Sequence, residues 1–293
     1  MEKILSFDIG GTAIKYGVLD LQGNVLWKDE MDTEANLGGE HILNKVKSKI
    51  SEVINNEKVI GVAVSTAGIV DTVNGAIAEA SDTIPGYRGQ QIKSEIEKDF
   101  GLKTTVENDV NCAALGELWK GAGKDKKSVF CMTIGTGLGG CAIVDGRVLN
   151  GTSFSAGEIG YLNIGGDDLN KTGSTSGIVK RVAKRKNIST SEINGKIIFD
   201  LAKQGDKICI EEIDTMVDNV SSAISMIAYI VNPQVIILGG GVTKQKEYLL
   251  PRFNKRAKGK IIPYVFDSLD IKLAELQNDA GIIGAVYNFI QHM

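Results

Sequence analysis

Short apolar runs alternate with amphipathic stretches along the chain, and each kind of run predicts a different element. Near the N-terminus, runs at 4–8, 15–20 and 24–29 predict three consecutive strands. Apolar residues at helical spacing then predict a helix over 39–55. The continuous apolar run at 59–65 predicts a strand that is buried on both faces.

The second half of the chain repeats this plan, with apolar runs that predict strands at 128–133, 140–144 and 235–238. Helical periodicity extends over 208–231, and a final apolar helix is predicted from 280 to 290. The same patterns also predict a helix over 91–100, a strand over 104–107 and a helix over 110–120. We therefore expect an α/β fold with two similar lobes.

The length of 293 residues, with 43% hydrophobic and 24% charged residues, is ordinary for a globular protein of two domains. We place the hinge at the glycine-containing segment 121–123. This gives an N-terminal lobe of residues 1–121 and a C-terminal lobe of residues 122–293. The last helix, about 280–293, is expected to pack back on the N-terminal lobe.

Charge and special residues exclude several classes of protein. A net charge of −3 lacks the basic footprint of nucleic-acid binding. No apolar run reaches the roughly 18 residues of a membrane span, and Met1-Glu2-Lys3 leads straight into a strand, so no signal peptide is visible. The cysteines show no paired spacing and indicate reduced thiols in a cytoplasmic protein. With His41 in a helix and His292 at the tail, a Ser-His triad or a multi-histidine metal site is not expected.

A glycine turn between two strands occurs twice, at one constant offset. Asp8-Ile9-Gly10-Gly11-Thr12 and Thr133-Ile134-Gly135-Thr136-Gly137 align when the sequence is shifted by 125 positions (133 − 8 = 125). Glycine lets a backbone approach a phosphate and point its N–H groups at it. Segment 135–140 also matches the dinucleotide fingerprint, but a strand follows it instead of the required helix, and the sequence contains no P-loop motif.

Polar residues at the ends of predicted strands supply candidate chemistry. Asp109 is predicted as the N-cap of the helix that follows Glu107 and Asn108. It is either a simple cap or, opposite a phosphate site, the base that activates a hydroxyl group. Asn108 can donate to and accept from a polyol. Glu158, framed by glycines, is either a solvated loop residue or a residue that enters a cleft.

The run Gly239-Gly240-Gly241 closes a predicted buried strand. It is either a simple turn or a place where something flat, such as a purine, lies against the backbone.

In their order and spacing, five motifs of this chain resemble those of the ROK family of sugar kinases and sugar-responsive repressors, and the resemblance extends to Asp279-Ala280-Gly281-x-x-Gly284-Ala285. It implies a two-lobed actin/hexokinase-like fold, a duplicated ribonuclease H-like architecture with ATP and sugar in the interdomain cleft. The five motifs are Asp8-x-Gly10-Gly11-Thr12, Glu107-Asn108-Asp109, Gly135-Thr136-Gly137-x-Gly139-Gly140, Gly157-Glu158-x-Gly160 and Gly239-Gly240-Gly241.

The resemblance implies a role for each matching residue. Asp109 would take the proton from the sugar 6-hydroxyl, and Asp8 would help to hold Mg²⁺ through water. The sugar would be bound by Ser65, Gly68, Asn108, Asp109, Glu158 and Tyr161. The nucleotide would be bound by Ser6, Phe7, Asp8, Ile9, Gly10, Gly11 and Thr12 in the first loop, by Thr133, Gly135, Thr136 and Gly137 in the second, and by Gly239, Gly240 and Gly241 at the adenine.

The chain departs from the family pattern near the sugar. Ala67 stands where the family usually has proline, and Cys141 where it usually has glycine. Tyr161 stands where the family usually has histidine, and segment 163–176 contains none of the family's zinc-binding cysteines. We therefore expect no structural zinc and an acceptor site that is open near sugar C1. Tyr161 would either offer an apolar face to a group attached there or pack inward.

Within the family the chain is most similar to bacterial β-glucoside kinases, which implies ATP-dependent phosphorylation of the 6-hydroxyl of a β-glucoside such as cellobiose. The alternatives are an N-acetylmannosamine kinase, a glucokinase, or a sugar-sensing regulator without a DNA-binding domain. The expected cofactors are ATP and Mg²⁺ without zinc. The expected partners are a small sugar and a second copy in a homodimer, with no nucleic acid and no membrane.

Overall fold

The structure is a computed structural model that describes residues 1–293, apart from the side chain of Val242. The chain divides into two units. Unit 1 comprises Met1–Asp125, Asn150–Ala156 and Asn278–Met293, and unit 2 comprises Lys126–Leu149 and Gly157–Gln277. A short loop and the C-terminal helix thus belong to unit 1, although they follow segments of unit 2 along the chain.

The strands of unit 1 come first in the chain, and those of unit 2 begin at residue 129. The strands are β1 (Lys3–Ile9), β2 (Ala13–Asp20), β3 (Val25–Asp32), β4 (Gly61–Thr66), β5 (Ile69–Asp71), β6 (Ala76–Glu79), β7 (Lys103–Asn108), β8 (Val129–Ile134), β9 (Leu138–Val144), β10 (Arg147–Val148), β11 (Asn163–Ile164), β12 (Asp167–Asp168), β13 (Val235–Gly239) and β14 (Asp270–Leu273).

The helices differ widely in length, and the longest follows the helical periodicity at 208–231. They are α1 (Gly39–Ile54), α2 (Ile92–Phe100), α3 (Asp109–Lys120), α4 (Leu169–Thr172), α5 (Thr175–Lys186), α6 (Gly195–Lys203), α7 (Lys207–Ile230), α8 (Lys246–Lys260), α9 (Pro263–Phe266) and α10 (Ala280–Gln291). Among the described residues, no helix is both long enough and apolar enough to cross a membrane.

The two units contain the same sheet. In the described chain, each has five strands, in the order β3-β2-β1-β4-β7 in unit 1 and β10-β9-β8-β13-β14 in unit 2. In both, the first three strands of this order are antiparallel and the last three are parallel. The turn after β1 lies between Ile9 and Ala13, and the turn after β8 lies between Ile134 and Leu138. The duplication that the sequence predicts is therefore confirmed as a repeated α/β fold.

Each unit has its own hydrophobic core. In unit 1, α1 and α2 cover one face of the sheet with residues such as Val46 and Ile96. The core of unit 2 is built mainly around α7, whose Ile213 and Val220 are completely buried. The two clusters of buried hydrophobic residues share no member, so each unit has the apolar side chains that pack its own sheet.

The C-terminal helix α10 packs between the sheet of unit 1 and α3. The Ser6 hydroxyl of β1 donates to the carbonyl oxygen of Ile282 at 2.9 Å, which fixes the first turn of α10. Further along, a Cβ at Gly284 would overlap the carbonyl oxygen of Cys112, so the two helices touch through their backbones. This close contact requires glycine at position 284.

Several elements are absent from the sequence-based prediction. The β5–β6 hairpin is missed because its strands are very short. Helix α8 is missed because Pro251 lies inside it and most of its residues are polar. Helices α5 and α6 are also missed, and α5 turns out to line the candidate site described below.

Candidate active-site residues

The first glycine loop joins β1 to β2 in unit 1. Its base is closed by the Gly10 N–H, which donates to the Ala13 carbonyl at 3.1 Å, and by the Thr33 hydroxyl, which donates to the Gly10 carbonyl at 2.7 Å. Gly11 and Thr12 form the exposed tip of the loop. A Cβ at Gly11 would meet nothing within 4 Å, so the loop presents bare backbone to solvent.

Asp8 lies just before this loop and is the acidic residue of its strand. Its Oδ1 accepts a hydrogen bond of 2.6 Å from the Ser65 hydroxyl. The ammonium group of Lys15 lies 4.0 Å from its Oδ2. Burial raises the pKa of Asp8 above its ordinary value, and the Ser65 hydrogen bond and the Lys15 charge oppose this rise.

Ser65 lies inside the sheet of unit 1, on β4. It is completely buried, and its hydroxyl is directed at Asp8 on the neighbouring strand. The Ser65 hydroxyl is therefore engaged by Asp8, and contact of Ser65 with a sugar stays a prediction. The burial of Ser65 follows from its place in β4, a strand that is buried on both faces.

Three further residues expected to bind the nucleotide prove to be buried. Ser6 binds Ile282, Phe7 stacks on Tyr16 in the core, and Ile9 is buried in the same cluster. Their side chains hold the sheet and α10 in place. A nucleotide at this loop would meet the backbone after Ile9 and not these side chains.

Helix α3 begins with Asp109, and its N-cap is Asn108, whose side-chain oxygen accepts from the N–H groups of Val110 and Asn111. The expectation that Asp109 is the N-cap is therefore wrong by one residue. Asp109 lies in the first turn, where its Oδ1 accepts from Val110 N–H at 2.9 Å. The positive end of the helix dipole favours the ionised carboxylate there.

Asn108 connects the residues expected around the sugar. Its Nδ2 donates to the Gly68 carbonyl at 2.9 Å and to Asp109 Oδ1 at 3.0 Å. Gly68 has φ of +97°, which a side chain would strain. The structure thus brings Gly68, Asn108 and Asp109 together. Because the donors and the acceptor of the Asn108 amide are all engaged, a sugar hydroxyl would have to replace one of these bonds.

Glu107 holds the start of α3 in place, a role that the sequence analysis did not assign. It is 3% exposed, and its Oε1 accepts from the Asn108 N–H at 2.7 Å and from Asn111 Nδ2 at 2.9 Å. Burial raises the pKa of its carboxyl above the ordinary value. Its place two residues before Asp109 in the sequence was the available signal.

The second glycine loop, in unit 2, joins β8 to β9. The Gly135 N–H donates to the Gly137 carbonyl at 2.9 Å, and the Asn170 side chain accepts from the Leu138 N–H at 2.7 Å. The Gly135 carbonyl accepts from the Thr175 N–H at 2.9 Å, which ties the loop to the N-terminus of α5. Thr136 and Gly137 are exposed, and Thr133 is half-buried at the end of β8.

A cavity of about 410 Å³ opens beside the second loop, entirely within unit 2. Its walls combine the glycine loop, the N-terminal half of α5 and the segment before α6. The lining residues are Gly135, Thr136, Thr175, Ser176, Val179, Lys180, Thr190, Ile193, Asn194 and Gly241. A helix N-terminus next to a glycine loop is an arrangement that accepts phosphate.

Of the three glycines expected at the adenine, only Gly241 lines this cavity. Gly239 is buried in β13. Gly240 has φ of +82°, and a Cβ there would lie 2.6 Å from the Ile134 carbonyl, so the fold itself requires glycine at 240. The remaining walls lie in α5 and around 190–194, where the sequence carries no motif.

Glu158 is the N-cap of a short 3₁₀ turn of unit 2 that spans Ile159–Tyr161, and Tyr161 is the last residue of that turn. The turn is fixed from Gly157, where φ is +95° and a Cβ would overlap the carbonyl of Gly140. Glu158 is exposed, although nearby atoms remove enough water to raise the pKa of its carboxyl. Tyr161 is 71% exposed, so the alternative that it packs inward is wrong.

The sequence profile described as "ROK family" matches residues 4–292, and the chain belongs to that family. It is 46% identical to an uncharacterised protein of Clostridium perfringens, over 96% of each chain. It is 32% identical to a β-glucoside kinase of Listeria innocua, over 99% of this chain and 98% of the relative.

A solved structure with the same fold is a ROK family glucokinase from Streptomyces griseus in complex with glucose and AMPPNP. It is 27% identical and has a TM-score of 0.81, over 97% of this chain and 98% of that one. The expected hexokinase-like fold is confirmed by this similarity.

The partly buried carboxyl group of Asp8 leads to a prediction about stability. Because burial raises its pKa, the ionised form is less stable in the folded state than in the unfolded chain. Its destabilising effect is therefore absent below the ordinary pKa of 3.8, grows as pH rises from that value to the raised pKa, and is complete above it. We expect Asp8→Asn, which keeps an acceptor for Ser65, to unfold at a higher temperature than the wild type at pH 7.

Thermal unfolding followed by circular dichroism at pH 7 and again near pH 4 measures this difference. The advantage of Asp8→Asn should shrink at the lower pH. Asp267→Asn, at an exposed position of unit 2, is the control and should change little. A variant Asp8→Asn that is less stable than the wild type at pH 7 would contradict the argument.

Proposed function

We propose that this protein is an ATP-dependent sugar kinase that phosphorylates the 6-hydroxyl of a β-glucoside such as cellobiose. The observation that carries the proposal is a glycine loop that occurs once in each unit. The loop of unit 2 lies beside a cavity, and the loop of unit 1 follows Asp8, whose carboxyl group is desolvated. Membership in the ROK family and the AMPPNP bound by the Streptomyces relative support the choice of nucleotide.

The cavity beside the second loop is the proposed nucleoside pocket. Its volume of about 410 Å³ is of the size of small-molecule sites. Gly135 and Thr136 would meet the phosphates, and the apolar side chains of Val179 and Ile193 would meet the base. Gly135 is suited to this contact because a Cβ there would enter open space, so the fold itself does not require glycine at this position.

Asp8 fits the requirements for holding Mg²⁺. This ion is usually bound by one or two carboxylates together with waters and substrate phosphates. Asp8 is a single carboxylate beside a phosphate loop, with Ser65 on one of its oxygens. When bound, Mg²⁺ would neutralise charge on the transferred phosphoryl group. The ion would also offset the desolvation that raises the pKa of Asp8.

Asp109 is the proposed base. Its place in the first turn of α3 favours the ionised carboxylate, and Asn108 fixes one of its oxygens. A carboxylate held in this way can accept the proton of a hydroxyl group as that group attacks the phosphoryl group.

The exposed Tyr161 supports the choice of a glycoside as acceptor. A tyrosine ring offers an apolar face and a hydroxyl group, which suits a second sugar or an aryl group attached at C1.

In the described part of the chain, no three His, Cys, Asp or Glu side chains form a group that could hold a metal ion. The relative from Listeria innocua is named a β-glucoside kinase. The glucose complex keeps a glucokinase as the alternative.

Removal of the base should slow the chemical step. General base catalysis supplies roughly 10²–10⁴-fold in rate. We therefore expect Asp109→Asn to lower kcat by about that factor, while the affinity for AMPPNP in calorimetry stays the same. The control Asp267→Asn should keep full activity. Near-normal turnover by Asp109→Asn would remove Asp109 from the role of base.

The acceptor is tested with ATP, Mg²⁺ and a panel of cellobiose, gentiobiose, glucose, N-acetylmannosamine and N-acetylglucosamine. We expect a higher kcat/KM for cellobiose than for glucose, no stoichiometric zinc in the pure protein, and full activity after chelation once Mg²⁺ is restored. Tyr161→Ala should lose more activity on cellobiose than on glucose.

Tyr264→Ala is the matched control, because Tyr264 is 88% exposed on α9. It should affect neither sugar. A strong preference for free N-acetylmannosamine, or one zinc ion per chain, would overturn the proposed acceptor. If no sugar in the panel is phosphorylated, the sugar-sensing regulator becomes the better reading.

A further inference from the structure

The first turn of α10 lies directly against the carboxyl group of Asp8. A Cβ built on Gly281 would lie 2.5 Å from Cγ of Asp8 and 2.6 Å from each of its two oxygens. The Ser6 hydroxyl, two residues before Asp8 on β1, donates to the carbonyl of Ile282 and prevents this turn from moving away. The carboxyl group therefore occupies the space that a side chain at position 281 would need.

The contact at Gly281 differs from the one at Gly284, one helical turn later. At Gly284 the obstacle is the backbone of α3, at the Cys112 carbonyl, which cannot move without moving the helix. At Gly281 the three nearest atoms all belong to the end of one side chain, that of Asp8. A methyl group at 281 would therefore displace the Asp8 carboxyl group and leave the backbone in place.

The other neighbours of Asp8 limit where the carboxyl group can lie. Ser65 donates to Oδ1 at 2.6 Å, and Lys15 lies 4.0 Å from Oδ2. Lys15 is itself held near the start of α10, because its ammonium group donates to the Asn278 carbonyl at 3.5 Å. With the Gly281 backbone on a further side, the carboxyl group has one well-defined position.

We propose that Gly281 is a positioning residue for Asp8, because its missing side chain lets the C-terminal helix fix the carboxylate in the orientation that Ser65 also holds. The functional part of this inference rests on the proposed role of Asp8 in the kinase. The C-terminal helix then helps to position the carboxylate beside the first glycine loop, and it also covers the sheet. Misplacement of a catalytic group by about 1 Å can cost about 10²-fold in rate.

A double-mutant cycle tests the contact without any reference to activity. Gly281→Ala is made in the wild type and in Asp8→Ala, and the unfolding temperature of each protein is measured. In the wild type, the displaced carboxyl group should cancel or reverse the gain that alanine normally brings to a helix. In Asp8→Ala the space is free, so Gly281→Ala should raise the unfolding temperature. The same shift in both backgrounds would overturn the proposed contact.

Steady-state kinetics tests the functional consequence. Gly281→Ala should lower kcat by about 10- to 100-fold and raise the half-saturating Mg²⁺ concentration, while the KM for the sugar stays constant. The control is Gly259→Ala in α8, where a Cβ would meet nothing within 4 Å. It should leave all three quantities unchanged.

The two tests separate the possible failures. If the stability cycle shows coupling but the wild type phosphorylates no sugar, the contact stands and the proposed function fails. If the wild type is a kinase and Gly281→Ala has normal kcat and normal Mg²⁺ dependence, Gly281 is not a positioning residue. A uniform loss of activity with an unchanged Mg²⁺ requirement would likewise refute the inference.

Discussion

The partial desolvation of the Asp8 carboxylate is the constraint around which the first glycine loop of unit 1 is organised. A desolvated charge is costly unless groups around it compensate, and desolvation is the largest influence on the pKa of Asp8, which is raised. Ser65 and Lys15 provide part of it, and the N-terminal end of α10 closes the remaining side. This end of the helix carries partial positive charge, which suits an anion. The return of the C-terminal helix to the N-terminal sheet thus has an electrostatic reason as well as an apolar one.

The glycines of the motifs fall into two physical classes that sequence cannot separate. At Gly157, Gly240 and Gly284, a Cβ would overlap backbone atoms, so the fold itself requires glycine. At Gly11 and Gly135, a Cβ would enter open space. Glycine at these two places leaves bare backbone at the surface, which is what a bound phosphate requires. The distinction depends on what packs against each residue, and only the structure supplies it.

The sequence predicts much of the fold because its main elements carry strong local signals. The predicted strand at 128–133 corresponds to β8, the predicted helix at 110–120 to α3, and the glycine loops are where the repeat placed them. The features that the sequence does not predict depend on tertiary contacts. The burial of Ser65 and the cavity wall at Asn194 depend on neighbours that are distant along the chain. The capping role of Asn108 depends on the residue at which α3 begins, and helix boundaries are the least certain part of a sequence-based prediction.

The two sheets have the same arrangement of strands, but they carry different polar residues where the strands lead into the glycine loops. In unit 1, Asp8 pairs in register with Ser65, and Ser65 pairs with Glu107, so three polar residues line one level of the sheet. In unit 2 the register places Thr133 opposite Gly239, and no carboxylate occupies either position. The same turn therefore follows a partly buried acid in one unit and an uncharged strand end beside a cavity in the other. In the proposed function, the loop of unit 1 would serve the metal ion, and the loop of unit 2 would serve the phosphates of the nucleotide whose nucleoside occupies the cavity.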